Sequence, residues 1–578
     1  MDATAAVRET AVHPAPTRAE APAAPSFPSL MAPASCTALL LWCAHFPLAW
    51  GWLAWAALVP MLALVRRADS TRRVLLAAWL GGLLFFVPVL QWVRVADPRM
   101  YVTWLGLAVY CSLYLPLAFG LVRVLDRRTT LPLVLTLPVV WVSLEYLRAH
   151  LFTGFAWYFL AHTQHDFAPV IQIADLTGAY GVSFLVAAGN ALLFELLCRW
   201  SRFRALFAVP ERPIAAAPLL AVAVLIAASL GYGWHRLGQK EFETGPRVAL
   251  VQSDLSQAIR NDGGASATDE MLAHNSRLSS RASDHRPDLI VWPETSYPGY
   301  WVELAPGAPA TTEQYRAAGE CREIAREVTR SWPTHVLLGM NSEVTDAAGQ
   351  VKLYNSALLL RPPGETAGRY DKMHRVPFGE YVPLRETLPW LNAFAPYDFD
   401  YSISVGDTFT RFPLGDYRFG VVICYEDSNP TLARQYVAAE PVDFLLNISN
   451  DGWFNGTSEH EEHLAISRFR AVECRRAVLR AVNMGVSAVI DGNGRVLRPQ
   501  LVKAYPGGIR VWETTPAPLP VSEWAAYKKT AGVLLGAVPL DRRESLYARW
   551  GDWFPVGCAV ALGASLALAV LRPKANHE

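Results

Sequence analysis

The sequence predicts a bundle of about eight transmembrane α-helices joined to one soluble α/β domain. The first observation behind this fold class is that residues 36–234 and 552–571 are overwhelmingly apolar. The second is that residues 245–530 alternate short apolar runs with polar helical stretches, which is typical of strands covered by helices. The third is composition: of 578 residues, 52% are hydrophobic and 18% charged, unlike a disordered chain or an ordinary soluble enzyme. The net charge of +1 argues against a nucleic-acid-binding protein.

The N-terminal segment differs from the apolar region that follows it. The first 30 residues are rich in Ala and Pro and have little to bury, so residues 1–35 are predicted to form a disordered tail. The segment lacks the order of a signal peptide, because no charged region leads directly into a cleavable apolar core.

Residues 36–235 predict a seven-span membrane domain. A spanning helix needs about 20 mostly apolar residues, and the run from 36 to 66 is too long for one span. His45, Pro47 and Gly51 lie near the middle of that run, so two helices with a turn are predicted there. The remaining spans are predicted at 73–94, 101–124, 131–149, 180–199 and 213–234, with a C-terminal transmembrane helix at 552–571.

Clusters of basic residues orient these spans. Positive charge near span ends marks the cytoplasmic side of a membrane. Four clusters fall on one side if both termini are cytoplasmic: Arg66, Arg67, Arg72 and Arg73; Arg123, Arg127 and Arg128; Arg199, Arg202, Arg204 and Arg212; and Arg572 with Lys574. The soluble domain lies between the seventh and eighth spans, so we expect it outside the cytoplasm.

The number of spans before the soluble domain exceeds what an anchor needs. The plain alternative is that these helices only hold a soluble enzyme at the membrane, for which one or two would be enough. The aromatic segment Thr153–Tyr158 lies at a span end, as is typical of a membrane interface. We therefore favour a membrane domain that admits a lipid.

Residues 245–530 predict the α/β domain, and three reactive side chains lie at its strand ends and loops. Glu294 follows an apolar strand, Cys424 ends another, and Lys372 shares a Pro- and Gly-containing loop with Glu380. Active groups lie preferentially in loops held by a rigid sheet. The predicted strands are Arg247–Gln252, Asp288–Trp292, His335–Gly339, Ser356–Leu360, Phe419–Cys424, Phe444–Ile448 and Ala488–Ile490, and helices are predicted near 266–282, 311–330, 429–438 and 459–478.

Glu294, Lys372 and Cys424 together form a complete apparatus for acyl transfer. Each alone has a plainer explanation, since a lone cysteine is more often a small buried hydrophobe and lone Glu or Lys residues are usually solvated. A free thiol of pKa about 8.5 is mostly protonated at neutral pH, so a carboxylate that takes its proton activates it. An ammonium group stabilises both the thiolate and the oxyanion of a tetrahedral intermediate.

The segments around these three residues resemble the Glu–Lys–Cys triad of the nitrilase, or carbon–nitrogen hydrolase, superfamily, whose fold is an αββα sandwich. Further segments narrow the resemblance to the apolipoprotein N-acyltransferase family, and so does the arrangement of the spans. Those segments are Val251–Asp254, Val376–Pro383, Ile448–Phe454, His463, Arg468–Glu473 and Arg480–Ile490. The resemblance covers nearly the whole chain beyond the N-terminal tail.

The resemblance implies a role for each matching residue. Cys424 resembles the nucleophile, Glu294 the general base and Lys372 the oxyanion stabiliser. Glu380 resembles a second active-site carboxylate that orients the lysine or supports the transition state. The residues Tyr425, Glu426 and Trp453 match positions that the family uses around its site. The sequence departs from the pattern at Asn261, where some members carry a tryptophan, and this leaves the substrate contacts of that loop open.

The resemblance also implies a reaction and a cellular setting. Cys424 takes an acyl chain from a phospholipid, and the thioester is attacked by the amino group of a diacylglyceryl-modified N-terminal cysteine of a lipoprotein. We expect a monomer in the bacterial inner (cytoplasmic) membrane, with the catalytic domain in the periplasm. The sequence contains no phosphate loop, metal cluster or dinucleotide fingerprint, so we expect no cofactor, no metal and no nucleic acid partner.

Two other functions compete with this one. A membrane-tethered amidase or nitrilase would use the same triad with water as acceptor. The lysine-loop and Ser449–Phe454 resemblances argue against it, and so does the large lipid-facing part. A transporter or receptor would more often carry ionisable residues inside its spans. Glu145 and Glu195 are the main acidic residues in or near spans, and both have a plain structural explanation.

The eight cysteines predict neither a zinc site nor a disulfide scaffold, because they form no CxxC pair and no Cys/His metal spacing. A periplasmic domain would favour disulfides. Cys321 and Cys474 lie in the same domain as Cys424, and the sequence leaves open whether they pair.

Overall fold

The computed structural model describes residues 27–213, 215–239, 242–262, 264–394 and 401–571. Most of the predicted N-terminal tail, and the predicted basic pair Arg572 and Lys574, lie outside the described residues. The tail prediction is wrong for residues 27–35, because the first helix begins at Phe27. Leu30 and Ala34 are completely buried against the bundle, so this short segment does have an apolar surface to bury.

Eleven helices build the described membrane part. The turn predicted near Pro47 lies between the first and second of them, so the division of the run from 36 to 66 is confirmed. Their buried side chains form one continuous apolar core. The helices are α1 Phe27–Ala44, α2 Val59–Arg66, α3 Thr71–Val89, α4 Met100–Ser112, α5 Tyr114–Arg128, α6 Leu133–His150, α7 Ala168–Ile171, α8 Ala174–Thr177, α9 Ala179–Leu197, α10 Ser201–Phe207 and α11 Ala216–Gly238.

Five helical stretches in the described part of the chain are long and apolar enough to cross a membrane, judged by length and composition. They are Thr71–Val95, Met100–Arg128, Ala179–Leu197, Ala216–Gly238 and Trp553–Leu571. Pro28–Ala44 and Gly51–Arg66 are apolar but shorter. The predicted count of eight spans also includes α6 and therefore stays a prediction.

The ionisable side chains of the bundle have partners that explain them structurally. Arg66 donates from Nη1 to Glu195 at 3.0 Å and pairs with Asp126 at 3.3 Å. Glu145 accepts from the indole of Trp141 at 2.9 Å and from the main chain of Leu160 at 2.7 Å. Glu145 and Glu195 therefore tie helices and turns together, in line with their structural explanation.

Fourteen strands in the described residues form two sheets in the soluble domain. The larger sheet has nine strands in the order β12-β13-β14-β1-β2-β4-β5-β6, with β3 beside β4, and the smaller has the order β11-β10-β9-β8-β7. The strands are β1 Glu243–Gln252, β2 Leu289–Val291, β3 Tyr297–Leu304, β4 His335–Thr345, β5 Val351–Arg361, β6 Glu365–Asp371, β7 Arg411–Leu414, β8 Tyr417–Ile423, β9 Phe444–Asn450, β10 Ala477–Asn483, β11 Ala488–Ile490, β12 Leu497–Ala504, β13 Arg510–Pro518 and β14 Gly532–Leu540.

The two sheets pack face to face and helices cover both outer faces, which confirms the αββα sandwich. One apolar core lies between the sheets and a second lies between the larger sheet and its helices. The helices are α12 Gln257–Asp262, α13 Ala265–Ser283, α14 Thr312–Ser331, α15 Pro430–Ala438 and α16 Glu459–Cys474, followed by α17 Leu546–Trp550 and α18 Trp553–Leu571. Because β2, β8 and β9 run in parallel within their sheets, their carboxyl ends gather at one edge of the sandwich.

Two predicted boundaries in this domain differ from the structure. The helix predicted to 478 ends at Cys474, because Arg475 adopts a positive φ of 47° and the chain turns into β10. The domain extends beyond the predicted end at 530, since β14 pairs with β1 through a long antiparallel register. Because β14 lies between β13 and β1 in the larger sheet, it is part of the domain.

The soluble domain is fixed to the membrane part by buried ion pairs. Asp175, in α8, accepts from Arg475 at 2.8 Å and from Arg236 of α11 at 2.9 Å. Arg475 also donates to Gln172 at 2.9 Å. Since all four side chains come from different elements, they hold the two parts in one orientation.

Candidate active site

Cys424 lies where the apolar strand β8 meets a tight 3₁₀ turn, Cys424–Ser428. Its φ of +53° is a conformation that non-glycine residues seldom adopt. Such strained positions cluster at functional sites, where the surrounding structure holds them. The cysteine is a free thiol and is half-buried, so a reactant can reach it.

Lys372 follows β6 and its side chain is completely buried between two carboxylates. Its Nζ donates to Glu380 Oε1 at 2.7 Å and to Glu294 Oε1 at 3.3 Å. A buried ammonium is stable only when charges and hydrogen bonds offset its lost hydration. The pair of carboxylates provides this and fixes the direction of the lysine.

Glu294 follows β2 and is buried and fully hydrogen-bonded. Its Oε1 accepts from Asn355 Nδ2 at 2.7 Å, and its Oε2 accepts from the main chain of Asn450 at 2.9 Å. Gly339 of β4 lets the main chain at Pro293 and Glu294 pack directly against this strand, because a Cβ at Gly339 would lie 2.1 Å from the carbonyl oxygen of Pro293. Lys372, Asn355 and Asn450 thus hold the carboxylate of Glu294 from three directions.

The electrostatics link the three side chains. Burial raises the pKa of the Cys424 thiol, Glu294 raises it further, and Lys372 opposes both. Burial by itself would lower the pKa of Lys372, but Glu380 and Glu294 outweigh burial and hold that pKa well above its usual value. The lysine is thus a permanent cation, whereas the resting cysteine carries a proton that a neighbouring base must take.

Two predicted supporting residues, Glu380 and Glu426, lie at the site and hold its loops. Glu380 accepts from Lys372, as described, and its Oε2 accepts from the main chain of Val376 at 2.8 Å. Glu426 is completely buried and accepts from the main chain of Met373 at 2.7 Å and of Ile423 at 2.7 Å. Burial raises the pKa of Glu426 to about 7, against the opposing effect of Lys372.

The predicted residue Tyr425 lies between the site and the membrane part. Tyr425 donates to the carbonyl of Gly154 at 3.2 Å and stacks on His374 at 5.4 Å between ring centroids. Its other neighbour is Trp157, whose ring is nearly parallel at 6.3 Å. Trp453 is half-buried in the 3₁₀ turn Asp451–Phe454, directly after β9. The predicted interfacial segment Thr153–Tyr158 therefore contacts the site itself.

Asn261, where the sequence departs from the family pattern, lies on α12 close to this site. Gln257 donates to Asn261 at 2.7 Å and accepts from Asn450 at 3.0 Å. Its neighbour Arg260 donates to the carbonyls of Glu294 and Thr295 at 2.9 and 2.7 Å. Helix α12 thus braces the loops that carry the site.

Two neighbours of the site, Asn355 and Ser449, received no role from the sequence. Asn355 contacts both carboxylates, at 2.7 Å to Glu294 and 3.3 Å to Glu380, yet in the sequence it is a single polar residue in a strand. Ser449 lies next to Cys424, because Ile448 pairs with Ile423 in the adjacent strand, and its hydroxyl opposes the rise in the pKa of the Cys424 thiol. The available signal was that both residues are polar at positions that a strand buries, because buried polar groups need partners.

One group of side chains has metal-ligand spacing. Oxygen and nitrogen atoms of Asp451, Glu459 and His463 all lie within 4.8 Å of one another. Both ring nitrogens of His463 face carboxylates, Nε2 at 2.8 Å from Asp427 and Nδ1 at 3.2 Å from Asp451. An imidazole that donates from both nitrogens has no lone pair for a metal, so this group does not fit a cation. The expectation that the protein uses no cofactor stays a prediction.

Two family models match the chain: the apolipoprotein N-acyltransferase N-terminal domain over residues 37–192 and the carbon–nitrogen hydrolase domain over residues 247–502. An apolipoprotein N-acyltransferase of Geobacter metallireducens is 33% identical over 536 residues, covering 91% of this chain and 92% of the relative. One of Rhodopirellula baltica is 29% identical, covering 91% and 95%. A solved mutant amidase of the nitrilase superfamily from Nesterenkonia AN1 is 18% identical over 54% of this chain and 95% of its own, with a TM-score of 0.33 that carries no conclusion.

Proposed function

The chain belongs to the apolipoprotein N-acyltransferase family, and from that premise we propose that Cys424, Glu294 and Lys372 carry its reaction. The enzyme transfers a fatty acyl group from a membrane phospholipid, through a cysteine thioester, to the N-terminal amine of a diacylglyceryl-cysteine lipoprotein. The observation that supports the assignment is a buried lysine held between two carboxylates, in a loop that Glu426 ties to the strained turn of the cysteine.

In the first half of the reaction, Glu294 takes the proton of the Cys424 thiol and the sulfur attacks the ester carbonyl of the phospholipid. The carbonyl oxygen becomes an oxyanion, and the ammonium of Lys372 stabilises it. When the intermediate collapses, the ester C–O bond breaks. The departing lysophospholipid oxygen receives the proton from Glu294, and the acyl group remains on sulfur.

In the second half, the amine of the lipoprotein attacks the thioester carbonyl. Glu294 takes a proton from the attacking nitrogen, which prevents the amine from leaving again. The C–S bond breaks and the sulfur departs as a thiolate beside the Lys372 ammonium. Glu294 returns its proton to the thiolate, so the amide product leaves the enzyme unchanged.

The supporting residues position these groups. Glu380 orients the ammonium of Lys372, because it makes the shorter of the lysine's two contacts, 2.7 Å. Glu426 keeps the turn of Cys424 against the loop of Lys372. Tyr425, which contacts Gly154 and Trp157 of the membrane part, lines the path of the acyl chain, and Trp453, directly after β9, forms a further wall of the site.

We extend the proposal to the arrangement in the cell. The membrane enzyme works as a monomer in the inner membrane, with residues 36–235 and 552–571 as its membrane parts and the catalytic domain from 245 in the periplasm. The positions of the arginine clusters support this, since all of them fall on the cytoplasmic side if both termini are cytoplasmic. Lipoproteins and the outer-leaflet phospholipids then meet at the same face.

The chemistry is tested by the intact mass of the purified protein after incubation with phospholipid. An acyl-sized adduct that forms on the wild type, fails on Cys424→Ala and is removed by hydroxylamine supports the thioester at Cys424. The control is Cys321→Ala, a buried thiol elsewhere in the same domain. An adduct of the same yield on Cys424→Ala overturns the assignment of the nucleophile.

The orientation is tested by labelling with a membrane-impermeant maleimide in cells with a permeable outer membrane. Asp416→Cys in an exposed turn of the catalytic domain should be labelled, while Arg202→Cys in an exposed helix of the membrane part should not. The opposite pattern contradicts a periplasmic catalytic domain.

A further inference from the structure

His463 is a completely enclosed histidine that the reaction, as derived, does not use. It lies in α16, and its Nε2 donates to Asp427 Oδ1 at 2.8 Å while its Nδ1 faces Asp451 Oδ1 at 3.2 Å. Glu459, one turn earlier, lies 3.6 Å from the same Nδ1. On its remaining side is the indole ring of Trp157, at 5.6 Å between ring centroids.

Arg480 of β10 completes this cluster. Its Nη1 donates to Asp427 Oδ2 at 2.9 Å, and its Nη2 lies 3.6 Å from Asp451 Oδ2. Ser467 also donates to Asp427. The cluster of Asp427, Asp451, Glu459, His463 and Arg480 therefore gathers three acidic and two basic groups without water access.

The charges of the cluster balance when His463 is a cation. Burial and Arg480 lower the pKa of His463, but Asp427 and Asp451 outweigh them and raise it to about 10. Burial, assisted by Asp451, holds the pKa of Glu459 well above its usual value, so Glu459 is neutral. Burial would raise the pKa of Asp451, yet His463 and Arg480 keep it below its usual range. Two cations thus face two carboxylates.

The cluster reaches the nucleophile by two routes. Asp427 belongs to the same 3₁₀ turn as Cys424. Asp451 accepts from the hydroxyl of Ser449 at 2.7 Å. The parallel register of β8 and β9, in which Ile423 pairs with Ile448, places Ser449 next to Cys424, and the Ser449 hydroxyl opposes the rise in the pKa of the Cys424 thiol. Residue Asn450, between Ser449 and Asp451 in the chain, donates its main-chain N–H to Glu294 at 2.9 Å.

The hydroxyl of Ser449 has one proton to donate. While Cys424 is a thiol, that proton points to Asp451. When Cys424 becomes a thiolate, a hydrogen bond from Ser449 stabilises the negative sulfur more than it stabilises Asp451. The hydroxyl must then turn from Asp451 to the sulfur. Without a neighbouring cation, the buried carboxylate of Asp451 would hold the hydrogen bond of Ser449. It would also repel the thiolate. A cation beside Asp451 removes both obstacles.

We propose that His463 is a positioning residue that acts as a fixed cation, neutralising Asp451 so that Ser449 can turn its proton to the Cys424 thiolate. This rests on the proposed role of Cys424 as nucleophile. His463 itself touches neither substrate nor sulfur. Its effect is therefore a change in the reactivity of the thiol, in both halves of the reaction.

The test measures the rate at which iodoacetamide alkylates Cys424 at a series of pH values. The full-length protein is labelled in detergent, and the peptide that contains Cys424 is quantified by mass spectrometry. In His463→Gln, which keeps a polar side chain but not the charge, the midpoint of the pH profile should rise by about one unit or more. The rate near pH 7 then falls about tenfold or more, since one pKa unit is a factor of ten. Ser449→Ala should shift the profile in the same direction.

A matched control is His165→Gln, a buried histidine that stacks on Phe46 and Trp524 without contacting the cluster. Its profile should equal that of the wild type. The proposal is overturned if folded His463→Gln and Ser449→Ala both show the wild-type pH profile. If His463→Gln does not fold, a wild-type pH profile in Ser449→Ala overturns it. Alkylation needs no lipid, so this result is separate from the acyl-adduct test: an adduct on Cys424→Ala would refute the proposed function and not the coupling of His463 to the thiol.

Discussion

The carboxylate of Glu426 accepts the main-chain N–H of Met373 at 2.7 Å, and this contact ties the turn of Cys424 to the loop of Lys372. The same carboxylate accepts from the hydroxyl of Tyr370 at 2.9 Å and from the main chain of His374 at 2.9 Å. With Ile423 included, all its partners in the described structure are donors. Glu426 thus holds the turn of the nucleophile and the loop of the ammonium group together.

We expect Glu426→Gln to lower acyl-adduct formation by about 10²-fold, because an amide has one oxygen and its NH₂ group would face donors. Leaving a buried donor unsatisfied costs about 1–3 kcal/mol, so the thermal midpoint should also fall. Glu523→Gln, an exposed carboxylate paired with Arg498, is the control. Wild-type adduct formation in Glu426→Gln would mean that the two loops are held together by other contacts.

How much of this site the sequence could predict depends on the kind of residue. Glu294, Lys372 and Cys424 were predicted to converge because each ends a strand or lies in a loop with helix breakers, and the structure does bring them together. The division of residues 36–66 followed from the length of this run and from His45, Pro47 and Gly51 near its middle. These predictions rest on local signals, which a sequence carries directly.

The features that were missed depend on neighbours distant in sequence. Asn355 contacts Glu294 across two strands, and no local pattern separates it from any polar residue in a strand. The strand β14 was placed outside the domain because its partner β1 lies almost 300 residues earlier in the chain. The early start of α1 could not be predicted either, since it depends on packing of Leu30 and Ala34 against other helices.

Lys372→Met should reduce the rate of thioester formation by about 10²–10³-fold, the usual cost of removing one oxyanion donor. The loss has a second cause, because Glu294 and Glu380 would face each other without the cation between them. The measurement is single-turnover adduct formation by intact mass. Lys528→Met, which removes a lysine paired with Glu461 at 2.7 Å, controls for general loss of charge. A rate within threefold of wild type would exclude Lys372 as the oxyanion stabiliser.

Asn355→Asp should be more harmful than Asn355→Ser. The aspartate would place a third carboxylate beside Glu294 and Glu380, whereas serine only removes a donor. We expect a loss of about 10²-fold for the aspartate and of about tenfold for the serine in acyl transfer to a lipoprotein peptide. Equal activities of the two variants would show that the charge balance around Lys372 does not limit the reaction.

All eight cysteines of the chain are free thiols in the structure. Cys321 packs between the larger sheet and its helices, whereas Cys474, at the end of α16, packs in the other apolar core of the domain, so they cannot pair. Denatured protein kept under non-reducing conditions should therefore take up eight alkyl groups. Uptake of six, with Cys321 and Cys474 recovered as one cross-linked peptide, would contradict this arrangement.

Glu462 joins the catalytic domain to the segment Thr153–Tyr158 of the membrane part. Its Oε2 accepts from the indole of Trp157 at 2.9 Å and from the hydroxyl of Tyr158 at 2.7 Å. Burial raises the pKa of Glu462 to about 8, against the opposing hydrogen bonds. The carboxyl is therefore protonated at neutral pH in the folded protein.

This pKa makes the stability of the protein depend on pH in a defined direction. In the unfolded chain a glutamate titrates near pH 4.3, so between about pH 4 and pH 8 the folded state holds the proton and the unfolded state does not. The stability that Glu462 contributes is complete below the unfolded pKa and is lost as the pH rises through 8. Glu462→Gln mimics the protonated form and should lose less stability than the wild type when the pH is raised from 5 to 8. Thermal midpoints of both proteins in detergent across this range measure the difference, and parallel curves would show that Glu462 is already ionised at its junction with Trp157 and Tyr158.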